Sequence, residues 1–419
     1  MQTGDGGTLL QPVNNAGVGA ASPDLRRPVV LFLVTEDWYF WSHRLPVARA
    51  ARDAGFAVIV ATRVRDHGER IQAEGFRLYP LPWRRRGNGI LGNLKVIAAI
   101  AALYRRTRPD IVHHVALKPL LFGGIALRLA FPRGPARPVH IAAVTGLGSG
   151  LGGAPGVARL GRAALGWAVR RATAAGSIIA QNPEDASALA AFGVEPGRIV
   201  LIRGSGVATS HFAPLPQPPA AKTITVGLVA RMLRSKGVLD AVGAVRLLRA
   251  RGAAIELLLA GPSDPDNRDS LGDAELSTLA AEPGITWLGR VADVREVWRL
   301  AAIALLPSTY GEGVPKALLE AAACARPIIA ADMPGLREIV RPGRTGILVP
   351  PHDVGALAEA LAALAGDPGL RRAMGEAGRA LVEAEFDEVI VARQTLALYR
   401  ALLRDRSRPL TLPEAAPAR

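Results

Sequence analysis

A single cysteine, Cys324, stands in a chain of 419 residues, so an intrachain disulfide is impossible and no thiol cluster can hold a metal. Aromatic residues make up only 5% of the chain, and its cores must therefore come from aliphatic side chains with alanine and glycine, a composition that suits closely packed helices on sheets. Long hydrophobic runs are missing too. The longest stretch without Asp, Glu, Lys or Arg, 138–158, is too rich in glycine and proline to be a membrane-spanning helix. Residues 1–27 have neither a positively charged start nor an apolar centre, and they are expected to be a disordered leader, not a signal peptide or anchor. No internal repeat of solenoid length is visible.

The most uneven absence is that of acid. Residues 1–205 contain 26 Lys+Arg against 12 Asp+Glu, whereas residues 206–419 contain 25 against 24. Between 75 and 183 there are 16 basic residues and one acid, Asp110. A preference for Arg over Lys explains which cation is used but not why acids are missing from one half. The first half is expected to meet something anionic: nucleic acid, anionic lipid head groups or a diphosphate-bearing substrate.

Short apolar runs alternate with helical stretches along the chain. Strands are expected at 27–36, "FAVIVAT", "GFRLYPLP", "IVHHVA", "VHIAAV", "SIIAQN" and "RIVLIRG", with "DWYFWSHRLP" as an aromatic loop after the first and Asn182 capping a helix through Phe192. A proline-rich segment, 213–222, is the clearest linker. A second series then runs through "TITVGLVA", "IELLLAG", "ITWLG", "IALLPS", "RPIIAAD" and "GILVP", and the chain is helical from Val354 to about Arg404. Such alternation predicts an α/β protein with parallel sheets covered on both faces. The divisions expected are a leader at 1–27, a first Rossmann-like domain at 28–212, the linker, a second Rossmann-like domain at 223–385, a helix crossing back at 386–405 and a tail at 406–419.

Two places carry chemistry. "TYGEGVPKALLEAAACARPIIAADMPGLRE" (309–338) puts Glu312 in a loop after a buried strand and Glu320 about a turn and a half into the following helix, with Pro315 suited to its first position. In an open parallel sheet that strand edge is where ligands bind. At the end of the second series' first strand, "VARMLRSKG" places Arg231 and Lys236 on a loop entering a helix, and two cations at a helix N-terminus make a diphosphate site. On spacing alone, Glu312 and Glu320 could equally be a turn former and a solvated helix residue.

The Glu-x7-Glu pattern, its internal Gly-Val-Pro and the following "EAAACARPIIAADMPGLREIV" resemble the donor-binding motif of retaining family-4 glycosyltransferases, with Ala325 where the family usually has glycine. The resemblance covers about 28–400 and is strongest at 225–240 and 305–350. It implies a GT-B fold, two Rossmann-like domains facing each other across a cleft. It also implies transfer of a sugar from a nucleotide diphosphate, with a UDP-sugar expected, to a polyprenyl-diphosphate-linked sugar acceptor. Arg231 and Lys236 would then hold the diphosphate, Glu320 the ribose and Glu312 the donor sugar, with the backbone N–H groups of the segment Gly313, Val314, Pro315 and Lys316 cradling the donor. Arg290 and Val291 would lie by the base. His43 and Arg44 after the first strand, and His113, His114 and Lys118 around the end of the fourth, are candidate acceptor contacts. Neither metal nor cofactor is expected, nor nucleic acid as a partner, and the basic first half is expected to seat the enzyme on the anionic inner face of the cell membrane. The hinge-like "GSGVATSHF" has Ala208 where the family has an acid.

Gly148, Gly150 and Gly153 satisfy a dinucleotide-binding spacing, but no acid follows before Glu184 to hold a ribose. A sugar-nucleotide epimerase or hydrolase of the same layout would need more acids in the first half, and a nucleic-acid binder would show a basic-aromatic platform that is not apparent.

Overall fold

The computed structural model describes residues 27–83, 89–132, 137–144, 146, 165–171, 173, 176–218, 223–309 and 311–404. Seven parallel strands form the first sheet: β1 (Val29–Glu36), β2 (Ala57–Arg63), β3 (Arg77–Pro80), β4 (Ile111–Val115), β5 (Val139–Ala143), β6 (Gly176–Ala180) and β7 (Ile199–Leu201). Their order in space is β3-β2-β1-β4-β5-β6-β7. Six more form the second: β8 (Ile224–Val229), β9 (Ile255–Ala260), β10 (Ile285–Trp287), β11 (Ile303–Leu306), β12 (Ile328–Ala331) and β13 (Gly346–Val349), in the order β10-β9-β8-β11-β12-β13. Helices cover both faces of each sheet, so the strands are apolar on both sides; Val30 to Val34 are at most 1% exposed.

Strand order locates the binding edges. Chain direction across the sheet reverses between β1 and β4 in one half and between β8 and β11 in the other, and ligands of open α/β sheets sit beyond the C-terminal ends of the strands at such points. The segments that follow those strand ends are 36–45 and 116–118 in the first half, 230–237 and 307–315 in the second. Of the candidate site residues named above, all the cations and carboxylates apart from Arg290 and Glu320 lie in or beside these four segments.

The expected aromatic loop is instead a helix, Asp37–His43. Buried Asp37 fixes its start: one carboxylate oxygen accepts from Trp38 N at 2.7 Å, the other from Arg65 N at 2.6 Å and His67 N at 2.9 Å. Phe40 buries against Phe32 and Phe76, so packing overrides the low helix propensity of an aromatic run. A helix at Asp273–Ala280 was not legible in the sequence. Asn182 does cap its helix, accepting from Asp185 N at 2.7 Å.

The last helix, Glu388–Arg404, returns to the first half. Val391, Ala392, Leu398 and Tyr399 join that half's core, and the Tyr399 hydroxyl lies 2.6 Å from His113 Nδ1. The return begins at the hinge-like segment, where Val207 N donates to Phe386 O and Glu388 N to Val207 O, each at 3.0 Å. Part of the expected linker is fastened to the second half, with Leu215 N donating to Cys324 O at 3.2 Å and Arg326 Nη2 to Pro216 O at 2.7 Å. The Gly148–Gly153 loop lies outside the described residues.

Candidate active site

The loops after β8 and β11 lie side by side. Thr309 N donates to Ser235 O at 2.9 Å and Ser308 Oγ to the same oxygen at 3.2 Å. Gly237 has φ +73, and a Cβ there would come within 2.2 Å of Pro307 O, so only glycine lets the backbones approach this closely. The approach brings together Lys236 and Glu312, whose Nζ and Oε2 are 2.5 Å apart and whose side chains are 14% and 12% exposed. The second oxygen of Glu312 is buried with no hydrogen-bond partner among the described residues. Arg231 opens the same loop and is held by Asp264 at 2.6 Å.

Glu320 projects from the helix Lys316–Ala323. It keeps a partly open face, yet protein encloses it closely enough that burial pushes its carboxyl up to about 7; Lys316 opposes the shift and Asp293 adds to it. No hydrogen bond or ion pair among the described residues engages its carboxylate. Arg290 is exposed and Val291 half-buried on the loop that leads from β10 to Asp293, beside the Glu320 region.

The first half closes against these loops. Lys316 Nζ donates to Ser42 O at 2.5 Å, and Val314 N to Gln181 Oε1 at 3.3 Å. Gly146, after β5, lies so close to the 311–313 backbone that a Cβ there would be 2.4 Å from Gly311 O. His43 stacks on Tyr39 with ring centroids 4.1 Å apart, and its Nδ1 is 2.5 Å from Ser42 Oγ. Burial pulls its pKa down to about 3, with Lys316, Arg44 and Lys236 adding to the effect and a hydrogen bond donated to the Tyr39 backbone opposing it. His43 is therefore neutral at pH 7 and stands within the field of the second half's cations.

Three first-half expectations are corrected. His114 does not face an acceptor: it is fully buried, with Nε2 2.7 Å from the Tyr104 hydroxyl and Nδ1 2.9 Å from His140 Nε2. Strand alternation sends His113 to the opposite face, toward Tyr399. Arg44 is not a groove-surface cation; at 3% exposure it lies under the returning helix, with Nε and Nη2 unpartnered among the described residues. The helix Asp37–His43 turns its side chain inward. The expected backbone cradle is also partly used, since Val314 N is taken by Gln181. Lys118 is half-buried and lies over Trp83, 5.1 Å from the ring centroid, near Glu36.

Asp264 and Gln181 are the residues that the sequence reading missed. Asp264-Pro265-Asp266 is an Asp-x-Asp that could have been noticed, but both carboxylates are salt-bridged, Asp264 to Arg231 at 2.6 Å and Asp266 to Arg65 at 3.4 Å. Ala325 has φ +56, which is why glycine suits that turn.

Two Rossmann-like domains with facing strand edges and a cation–carboxylate cluster between them define the GT-B class. Known structures share this architecture: the Anabaena Alr3699/HepE complex with UDP and glucose superposes with a TM-score of 0.72 at 18% identity, over 89% of this chain and 99% of that one. The "Glycosyl transferase 4-like" family model matches residues 29–182, and "Glycosyl transferases group 1" matches 223–367. The chain belongs to the family-4 glycosyltransferases. It is 31% identical to the alpha-maltose-1-phosphate synthase of Mycolicibacterium smegmatis over 49% of this chain and 58% of that protein. It is 24% identical to the N,N'-diacetylbacillosaminyl-diphospho-undecaprenol alpha-1,3-N-acetylgalactosaminyltransferase of Campylobacter jejuni over 86% of this chain and 96% of that one. The chain thus spans somewhat over half the length of the first of these relatives.

Proposed function

We propose that this protein transfers a sugar, with retention at the anomeric carbon, from a UDP-sugar to a sugar carried on a polyprenyl diphosphate, in the assembly of a surface polysaccharide or glycan. The observation that carries the reading is the Lys236–Glu312 pair at the strand edge that faces Ser42 and His43, with the unengaged Glu320 one helical turn beyond Lys316 on the helix that follows. The named reaction of the Campylobacter relative, on a diphospho-undecaprenol-linked sugar, supports the lipid-linked acceptor. UDP and glucose in the HepE complex support the donor class.

In this reading the donor diphosphate takes the Lys236 ammonium from Glu312 and shares Arg231 with Asp264. The bond from the anomeric carbon to the diphosphate breaks, and negative charge growing on the leaving oxygen is stabilised by the two cations. The acceptor oxygen bonds to the same face of that carbon and gives its proton to the leaving phosphate oxygen. Glu312, released from Lys236, accepts hydrogen bonds from the donor sugar, and Glu320 from the ribose hydroxyls. Because Lys236 and Arg231 supply the positive charge, neither metal nor cofactor has a part in the proposed step. No helix among the described residues is long and apolar enough to cross a membrane, and in this reading the enzyme works peripherally, on the inner membrane face where lipid-linked acceptors are built.

A screen of nucleotide sugars tests this. A UDP-sugar should raise the melting temperature and release UDP once a polyprenyl-diphosphate-linked sugar is added, with the product's anomeric configuration by NMR matching the donor's. Inversion, or UDP release that no lipid-linked acceptor stimulates, would contradict it.

A further inference from the structure

Three neighbouring helices on one face of the first sheet, Gly89–Thr107, Leu117–Ala130 and 165–171, share an outer surface unlike the rest of the molecule. The first two pack side by side, with Arg105 Nη2 donating to Leu129 O at 3.0 Å. The second and third are joined by Arg128 Nη2 donating to Arg171 O. Six of the eleven large apolar side chains exposed among the described residues lie on these helices: Ile90, Leu91, Leu94, Ile125, Leu129 and Trp167. Trp167 is 61% exposed and stands one helical turn before Arg171; Ile125, 48% exposed, stands about one turn before Arg128.

Where the second and third helices meet, an open pocket of about 630 Å³ is lined by Arg128, Pro132, Arg137 and Arg171. Most arginines elsewhere near acids are paired, as Arg234 is with Glu275 and Arg246 with Glu282. Among the described residues no carboxylate pairs with any of these three, and the sequence supplies none between Ile111 and Pro183. Burial, and after it the neighbouring guanidinium groups, hold Arg128 and Arg137 below the usual arginine range. Three like charges around a cavity repel one another unless an anion joins them, and the guanidinium fork matches phosphate oxygens.

We propose that this pocket binds the phosphate of an anionic phospholipid head group, with Ile125, Leu129 and Trp167 entering the acyl boundary beside it. The site lies at the C-terminal ends of its helices, away from the strand edge where transfer is proposed. The idea rests on the membrane-facing part of the proposed function and is independent of the transfer chemistry.

The test is flotation of the full chain with vesicles of phosphatidylcholine alone and of phosphatidylcholine mixed with phosphatidylglycerol. Wild type should bind the mixed vesicles far better, and Arg128→Gln/Arg137→Gln/Arg171→Gln should lose at least about tenfold of that binding. Arg299→Gln/Arg344→Gln/Arg372→Gln, which removes equal charge from exposed sites in the second half, should stay within about twofold of wild type. Should the first triple variant not fold, Arg137→Gln alone carries the test, because Arg137 makes no hydrogen bond among the described residues; it should bind about fivefold more weakly. Equal binding of neutral and mixed vesicles overturns the proposal, as does equal loss in both triple variants. A melting shift by inorganic phosphate that Arg137→Gln abolishes while leaving vesicle binding intact also overturns it, because the pocket then serves a free anion. UDP-induced stabilisation is measured in parallel: it should survive in every variant, and its absence from wild type would count against the transfer reading alone.

Discussion

The two halves use positive charge in opposite ways. In the second, each functional cation is matched to a carboxylate, Lys236 to Glu312 and Arg231 to Asp264, so the loops stay together until a ligand with more negative charge takes over. In the first, although Arg49 and Arg52 pair with Glu74, Arg44 is buried with two nitrogens unpartnered among the described residues, and Arg128, Arg137 and Arg171 gather around a pocket without an acid. Paired cations suit a small ligand that enters and leaves at each turnover. Unpaired ones suit a surface that stays occupied or a ligand that brings several charges.

The largest effect should come from removing the second half's groups. Lys236→Ala and Glu320→Ala should each lower turnover by on the order of a hundred- to a thousandfold while circular dichroism shows the fold retained; near-full activity in either would break the contrast. Glu312→Gln sharpens it, because losing the carboxylate frees Lys236: turnover should fall by on the order of a hundredfold, while UDP binding by calorimetry strengthens.

A smaller effect concerns pH. The Glu320 carboxyl is raised from 4.5 to about 7 in the folded chain, so the folded state holds that proton more tightly than the unfolded one. Its contribution to stability therefore falls as pH rises from 4.5 to about 7 and is level above that. Ribose hydroxyls donating to the carboxylate favour the charged form, so UDP affinity should rise as pH passes up through about 7. Both slopes should flatten in Glu320→Gln, measured by calorimetry and thermal melts across that range. The smallest effect is at Ala325, whose φ of +56 strains an alanine; Ala325→Gly should stabilise by about 0.5–1 kcal/mol in denaturant titrations without changing UDP binding.

Both sheets were legible in the sequence because a parallel strand covered on two faces needs an unbroken apolar run, and "VVLFLV" or "IALL" has little else to be. The loop after β11 was legible because Pro307 and the Gly-Glu-Gly turn stop that run, and the loop after β8 because Arg231 ends its apolar run and Lys236-Gly237 leads into the helix. The helix Asp37–His43 was not, since its stability comes from Asp37 and from aromatic packing, which no local pattern reports. The fates of His114 and Arg44 were hidden for the same reason: Tyr104, His140 and the returning helix are distant in the chain and adjacent only after folding. The Lys236–Glu312 pair was half visible. Each residue stood out by position, but their mutual neutralisation depends on Gly237 letting two loops touch.

The most direct test of the diphosphate grip is a calorimetric titration of UDP into wild type and Lys236→Ala at pH 7.5. At least about tenfold weaker binding is expected in the variant, with circular dichroism showing the fold retained. Equal affinity in the two proteins would contradict it.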